Sequence, residues 1–257
     1  MKSTLFLAFL GATAVAFAQT RINFSDKSGN MTIRNFTSWS SRMGDKDHMH
    51  FKGAGKPLHG TWKEENVEVD CQQMEGDAQR LEGKFRLTHA VLTGSVKVVQ
   101  IKGAQTVTSW SDTAVIDREG EVTRIELTGR SRMESQGPGK GESSSAKGDL
   151  GALVVGEQGL RTATLTGNVS LQMKRVGSDG QPLTLDGKCR RLDADLVSSP
   201  ATLTLSGEVV LTGNNPAMAG DAHADKAVIT LDADRQPVGI DLTGEPGQTR
   251  YSERGKG

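Results

Sequence analysis

The chain has 257 residues, with 31 Lys or Arg balanced by 31 Asp or Glu, so it carries no formal net charge at pH 7. A neutral chain offers no electrostatic reason to expect nucleic acid as a partner, and an aromatic content of 4% supplies few rings for stacking on bases or sugars. Glycine is abundant, and much of the chain alternates Thr, Val and Leu with charged residues. This composition predicts β-strands punctuated by glycine and does not predict long amphipathic helices.

The N-terminus has the pattern of a secretory signal peptide. Lys2 supplies a positive charge, an apolar run extends from Leu5 to Phe17, and Ala16 and Ala18 are the small residues of a cleavage site. The alternative is a membrane anchor, but a spanning helix needs about 20 apolar residues, and the polar segment 19–21 ends this run early. We therefore expect residues 1–18 to be removed and the mature protein to be exported.

Residues 19–60 fit the later pattern poorly and are expected to form an N-terminal cap or extra strands. They contain His48, His50 and His59, which could place imidazoles on one side of a strand, but no Cys or acid at ligand spacing completes a metal site. The chain also has no nucleophile elbow, phosphate loop or zinc-hydrolase motif. We expect no metal, no other cofactor and no enzymatic activity.

An internal repeat occupies the region 61–250. The tripeptide Leu-x-Gly occurs nine times in the chain, and five copies lie in a longer alternating context with a period of about 37 residues. Strict alternation places the glycine of each copy on the inward face of a strand. An inward glycine predicts a sharp bend or a close approach of the opposite wall. These bend glycines are Gly94, Gly129, Gly167, Gly207 and Gly244.

The repeat period is too long for one strand and its return, so each unit should contain several strands and tight turns. The alternative interpretation is generic β sequence with glycine turns. A Gly- and Ser-rich stretch near 135–148 predicts a flexible surface loop, or a boundary between two half-modules. Residues 251–257 predict a short polar tail.

The only two cysteines are Cys71 and Cys189. Export to an oxidising compartment would permit a disulfide between them. Both could instead serve as small apolar fillers of the core, and the sequence leaves the two alternatives open.

Three segments together resemble the OstA-like family, which comprises periplasmic bridge proteins of lipopolysaccharide transport and their relatives. They are Leu165-Thr166-Gly167-Asn168-Val169, Leu205-Ser206-Gly207-Glu208-Val209 and Ala224-Asp225-Lys226-Ala227-Val228. The resemblance covers roughly residues 66–245. It implies an all-β fold, an open β-jellyroll of creased, stacked antiparallel strands, with an apolar interior that holds acyl chains and with end-to-end stacking of copies.

The expected function is therefore a lipid-binding scaffold that carries lipopolysaccharide or a related glycolipid toward the outer membrane. The expected partners are that lipid and other β-jellyroll transport proteins, or a second copy of the chain paired through an edge strand. The alternative is a structural or protein-binding envelope protein with a sealed core, because both readings require inward Leu and Val. The candidate groove residues are Leu92, Val96, Leu165, Val169, Leu205, Val209 and Leu242.

Overall fold

A computed structural model describes residues 24–251, except for residues 45–46, 65, 103–104, 137–141, 157–158, 177–180, 216–217, 234, 236 and 245–247. The predicted signal peptide, residues 1–18, lies outside the described residues, as do residues 252–257 of the predicted tail. Within the described ranges every regular element is a β-strand. No helix there is long and apolar enough to cross a membrane.

The strands run antiparallel in chain order across one sheet, so each strand pairs with the strands before and after it in sequence. The sheet is open, with β1 and β13 at its ends and β14 paired with β12. The strands are β1 (Phe24–Ser25), β2 (Met31–Met43), β3 (His48–Trp62), β4 (Val67–Leu81), β5 (Lys84–Lys102), β6 (Gln105–Glu119), β7 (Val122–Gln136), β8 (Ser143–Gly156), β9 (Gly159–Val176), β10 (Pro182–Asp195), β11 (Ala201–Asn215), β12 (Met218–Leu231), β13 (Pro237–Thr243) and β14 (Gln248–Tyr251).

The structure confirms the all-β, open-sheet architecture and explains the repeat. Strands β2 to β12 have 13–19 residues each, far longer than the usual 5–6 or so. They are long because each consists of two segments that meet at a bend near the middle of the strand. One repeat of about 37 residues is therefore a pair of long strands with their turns. The turn between β4 and β5 shows how these pairs are joined: Glu82 and Gly83 both have positive φ, as a two-residue hairpin turn requires.

A line of β-bulges, which we call the crease, divides the long strands near their middles. On β5 it falls at Gly94 and Ser95, whose φ angles are 80° and 51°, and the register with β6 shifts there between Thr93 and Val96. The same pair of positive φ angles and the same shift recur at the glycines of β7, β9 and β11. The bulges bend every strand at the same level of the sheet.

The crease separates the sheet into two walls. The strand pairings assign residues 84–93 of β5 to the first wall and residues 96–102 to the second wall. The last long strand is split between the walls, since β13 pairs with residues 226–231 of β12 and β14 with residues 220–223. Gly244, the fifth repeat glycine, follows β13 directly at this split.

Apolar side chains from both walls form two core clusters. One extends from Met31 to Ala163 and the other from Ala146 to Leu231. Phe51, Leu92 and Leu127 are among the fully buried members of the first cluster, and Leu165 and Leu205 of the second.

The described strands extend into three of the segments delimited from the sequence. Residues 24–62 are strands β1 to β3 of the same sheet, so this part of the predicted 19–60 segment adds strands to the array. The predicted loop near 135–148 is shorter, because β7 continues to Gln136 and residues 143–148 belong to β8, where they pair with both neighbours. Residue 251, predicted as tail, ends β14.

A cavity between the two walls as candidate site

The predicted groove residues lie beside the crease, at the junction of the two walls. Six of them are exposed by no more than 2%: Leu92, Val96, Leu165, Val169, Leu205 and Val209. Leu242 on β13 is half-buried and packs against the second core cluster. These six residues are buried members of the two core clusters, and none lines the cavity described below.

The repeat glycines lie at the crease, close to the neighbouring strand. A Cβ added at Gly129 would lie 2.4 Å from Asp112 Oδ2, and one at Gly167 would lie 2.3 Å from Asp149 Oδ2. The corresponding neighbours of Gly94, Gly207 and Gly244 are Gln72, Arg190 and Asp225. In every case the close neighbour is the bulged residue of the preceding strand, not the opposite wall, and the strand also requires a positive φ at four of the five glycines.

Polar pairs join neighbouring strands along the crease. The residue after the glycine bonds to the bulged residue of the adjacent strand: Arg130 Nη2 donates to Asp112, and Asn168 Nδ2 donates to Asp149 Oδ2 at 3.1 Å. Arg190 and Glu208 form an equivalent pair on β10 and β11. The pKa of Asp112 is lowered, chiefly by its hydrogen bond with Arg130. These exposed pairs keep the bulged strands in register.

A cavity of about 520 Å³ opens between the two walls, away from the crease, across strands β3 to β8. The second wall contributes Trp62, Val67, Val69 and Val98, and the first wall contributes Leu87, Ile116, Ile125 and Val155. The volume lies in the range of roughly 300–1,000 Å³ that is usual for small-molecule sites.

Polar residues line the part of the cavity near the strand ends. They are Glu64, Asn66, Arg86, Gln100, Arg118, Glu121 and Thr123. Lys84 Nζ donates a hydrogen bond to Glu64 Oε1, which is the main cause of the lowered pKa of the Glu64 carboxyl. Arg86 Nη2 lies 3.7 Å from Glu64 Oε2, beyond hydrogen-bond distance. The cavity is therefore apolar toward the crease and charged toward its rim.

Two lining residues have buried donors without an acceptor in the described part of the protein. They are Trp62, through its indole Nε1, and Arg86, through its guanidinium Nε. Trp62 is only 2% exposed. Buried N–H groups are paired in the great majority of cases, so these two donors are exceptions among the residues that line the cavity.

Hydrogen bonds connect the two walls on either side of the cavity. On the N-terminal side, Asn30 Nδ2 donates to the Phe85 carbonyl at 3.2 Å, while Asn30 Oδ1 accepts from the Glu64 amide at 2.9 Å. On the C-terminal side, Arg175 Nη2 donates to the Arg235 carbonyl at 2.6 Å. The cavity therefore lies between two places where hydrogen bonds join the walls.

Two histidines of the N-terminal region lie within hydrogen-bond distance of aspartates on the neighbouring strand. His50 Nδ1 lies 3.0 Å from Asp77 Oδ1, and His59 Nδ1 lies 2.8 Å from Asp70 Oδ1. His48 is exposed at the start of β3. Within the described ranges, no group of three or more His, Cys, Asp and Glu side chains is arranged to hold a metal ion.

The two cysteines are free thiols, so the pairing that the sequence left open is not formed. Cys71 lies on β4 and Cys189 on β10, six strands apart in the sheet. Six spacings of roughly 4.8 Å greatly exceed the 4.4–6.8 Å or so between the Cα atoms of a disulfide. Burial raises the pKa of the Cys71 thiol to about 12, which favours the neutral form of a core residue.

Sequence reasoning missed the cavity residues because they come from strand ends far apart in the chain. Trp62 and Arg86 belong to different strands, and neither lies in a repeat motif. The alternation of Val67 and Val69 was the available signal for an inward face at this end.

No family model matches the chain. No curated protein and no solved structure matches it either.

Proposed function

We propose that the protein is a periplasmic lipid-binding scaffold that carries lipopolysaccharide or a related glycolipid toward the outer membrane. The observation that carries this proposal is the cavity of about 520 Å³ between the walls, with an apolar interior and a charged rim. This polarity matches an amphiphile, whose acyl chain avoids water while its head group does not. The signal-peptide pattern and the resemblance of the repeat to lipopolysaccharide-transport bridge proteins support the location and the ligand class.

The open edges of the sheet support the proposed partners. In the described residues, β13 and β14 each pair with β12 alone, and the outer edge of such a strand can pair with a further strand. We propose that a second copy, or another β-jellyroll transport protein, pairs with the β13 and β14 edge. Light scattering over a concentration series checks this part of the proposal. A mass that stays that of a monomer, with no envelope partner recovered by cross-linking, would contradict it.

The experiment for lipid binding is mass spectrometry of the organic extract of protein purified from envelopes. A cavity-filling variant, Val98→Phe, provides the specific test, because Val98 lines the cavity and is 4% exposed. The matched control is Val238→Phe, the same change at a residue that is 58% exposed. Bound lipid, normalised to folded protein, should fall in Val98→Phe and stay unchanged in Val238→Phe.

The second candidate function is a structural or protein-binding β protein with a sealed core. It is favoured by the packing beside the crease, where Leu165 and Leu205 are fully buried, and by the Arg175 bond that closes the C-terminal half. Under this candidate no lipid is recovered above a mock purification. Val98→Phe should then act only as overpacking, which costs about 1–3 kcal/mol of stability.

A further inference from the structure

The cavity contains an unexplained pair of hydrogen-bond donors. Of the five buried side-chain atoms without a partner in the described residues, two lie in residues that line this cavity, Trp62 Nε1 and Arg86 Nε. Both are donors only, since neither an indole N–H nor a guanidinium can accept a hydrogen bond. A molecule that satisfied both would have to present an acceptor.

The charges around these donors favour an acceptor that is negative. Glu64 is engaged by Lys84, and Arg86 Nη2 is 3.7 Å from the same carboxylate. Arg118 Nε donates to the Gly120 carbonyl at 3.0 Å, and its Nη2 is 3.8 Å from Glu121. The carboxylate nearest to the Arg86 guanidinium is therefore already hydrogen-bonded to Lys84, and a guanidinium pairs well with an oxyanion.

The apolar lining limits the rest of the ligand. Val69, Leu87, Val98, Ile116 and Ile125 surround the space next to the donors. A volume of about 520 Å³ is sufficient for one acyl chain of ordinary length.

We propose that the cavity binds one acyl chain ending in an oxyanion, with Trp62 Nε1–H and Arg86 Nε–H donating to the oxyanion and the chain lying on the apolar lining. This inference rests on the proposed lipid-binding function and specifies the ligand of that same site. Carboxylate and phosphate share the required chemistry, because guanidinium pairs well with either.

Tryptophan fluorescence can test binding at this position. The chain has three tryptophans, so Trp39→Phe with Trp110→Phe leaves Trp62 as the single reporter. Dibromostearate should quench Trp62, and unlabelled lipids with a common chain should reverse the quenching. Dodecanoate and dodecyl phosphate supply the two oxyanions, and dodecanol supplies the same chain with a neutral head. At least one oxyanion should bind roughly 10- to 100-fold tighter than dodecanol, the ratio expected for charge-assisted hydrogen bonds.

Arg86→Gln tests the donor directly. It should weaken binding of the preferred oxyanion roughly 10- to 100-fold and leave dodecanol binding unchanged. Arg80→Gln is the matched control, because Arg80 also has a buried, unpartnered Nε but is not among the residues lining the cavity. Circular-dichroism melting of each variant verifies that it is folded. The head-group comparison in the reporter protein needs no Arg86 variant, so it stands even if Arg86→Gln unfolds.

The outcomes separate this inference from the proposed function. Oxyanion preference that depends on Arg86 and not on Arg80 supports the assignment, and the better of the two oxyanions identifies the head group. Equal binding of all three dodecyl compounds, or equal effects of Arg86→Gln and Arg80→Gln, overturns the oxyanion site while lipid binding stands. Absence of Trp62 quenching overturns the site. If envelope-purified protein also carries no lipid, the proposed function fails with it.

Discussion

Replacing a crease glycine by alanine should be far more damaging than the same change at a turn with the same backbone conformation. Gly167 lies at the crease with φ of +75°, and Gly83 lies in the β4–β5 turn with φ of +81°. An alanine pays a similar strain at both positions, about 1–2 kcal/mol, partly offset by the lower entropy of the unfolded chain. At Gly83 nothing lies within 4 Å of the new Cβ, so Gly83→Ala should cost about 1 kcal/mol.

At Gly167 the new methyl group meets a neighbour as well. Its Cβ would lie 2.3 Å from Asp149 Oδ2 and 3.0 Å from Asp149 Cβ. The carboxylate must rotate away, which breaks the 3.1 Å hydrogen bond from Asn168 Nδ2, and the Cβ contact stays tight. The lost hydrogen bond adds about 1 kcal/mol to the backbone strain, and the tight contact adds a similar amount. Gly167→Ala should therefore lower the free energy of unfolding by about 2–4 kcal/mol in total.

Urea unfolding of both variants measures the two free energies. A double variant then isolates the clash, because in an Asp149→Ala background the Oδ2 atom is gone. There Gly167→Ala should keep the tight Cβ contact but no longer break a hydrogen bond, so it should cost about 2 kcal/mol, and the two changes should be coupled by about 1 kcal/mol. Equal costs for Gly83→Ala and Gly167→Ala in the otherwise unchanged protein would refute the steric account of the crease.

Three further predictions concern the walls and the thiols. Asn30→Ala should lower the free energy of unfolding by about 2–3 kcal/mol, measured in urea, because the Phe85 carbonyl and Glu64 amide lose a buried partner. Lys84→Met should raise the pKa of Glu64 toward its ordinary value, measured by NMR titration, because Lys84 lowers that pKa. The protein loses free energy of unfolding as pH falls through the pKa of Glu64, and this loss should be smaller in Lys84→Met. Unfolded, unreduced protein should titrate two thiols. As pH rises from about 9 to about 12, the raised pKa of Cys71 should reduce stability, and Cys71→Ala should reduce this loss.

The glycine-bearing strands were predictable from the sequence because of how their bulges are built. On β5 the bulge inserts two residues, Gly94 and Ser95, so Leu92 and Val96 on either side keep the same inward phase. The alternation therefore runs through the crease without a visible break, and it assigns the glycine to the inward face. Only the backbone shows that both inserted residues have positive φ.

The intervening strands were not predictable from the same pattern. On β4 the inward residues are Val69 and Cys71 before the crease and Met74 and Ala78 after it, so the phase changes from odd to even numbers. A strand whose alternation reverses in the middle resembles two short strands or a loop when read from sequence alone. The repeat period was consequently visible while the number of strands in each repeat was not.

The cavity could not be located from the sequence because both of its sides depend on the crease. Trp62 and Leu87 contribute to one cavity only after β3 and β5 have bent, which places a second-wall residue opposite a first-wall residue. The inward phase of each residue follows from local alternation. The sizes of side chains on several strands decide whether the space between two inward faces is filled. Here the space is filled beside the crease, but it stays open near the ends of strands β4 to β8.

The position of the cavity also constrains how a lipid carrier of this kind would work. Asn30 connects the walls before the cavity and Arg175 connects them after it, so the described apolar space is not continuous from one end of the sheet to the other. The side chain of Arg175 is 13% exposed and lies 3.7 Å from Glu142. This second contact helps to hold Arg175 in place on the C-terminal side of the cavity.

A lipid bound between β4 and β8 could therefore leave through the mouth between the walls without disturbing the packing. To pass along the sheet toward β13, it would have to break the Arg175 hydrogen bond to the Arg235 carbonyl and displace fully buried side chains such as Leu205. The geometry thus favours a carrier that loads and unloads one molecule through the side over one that conducts lipid along its whole length.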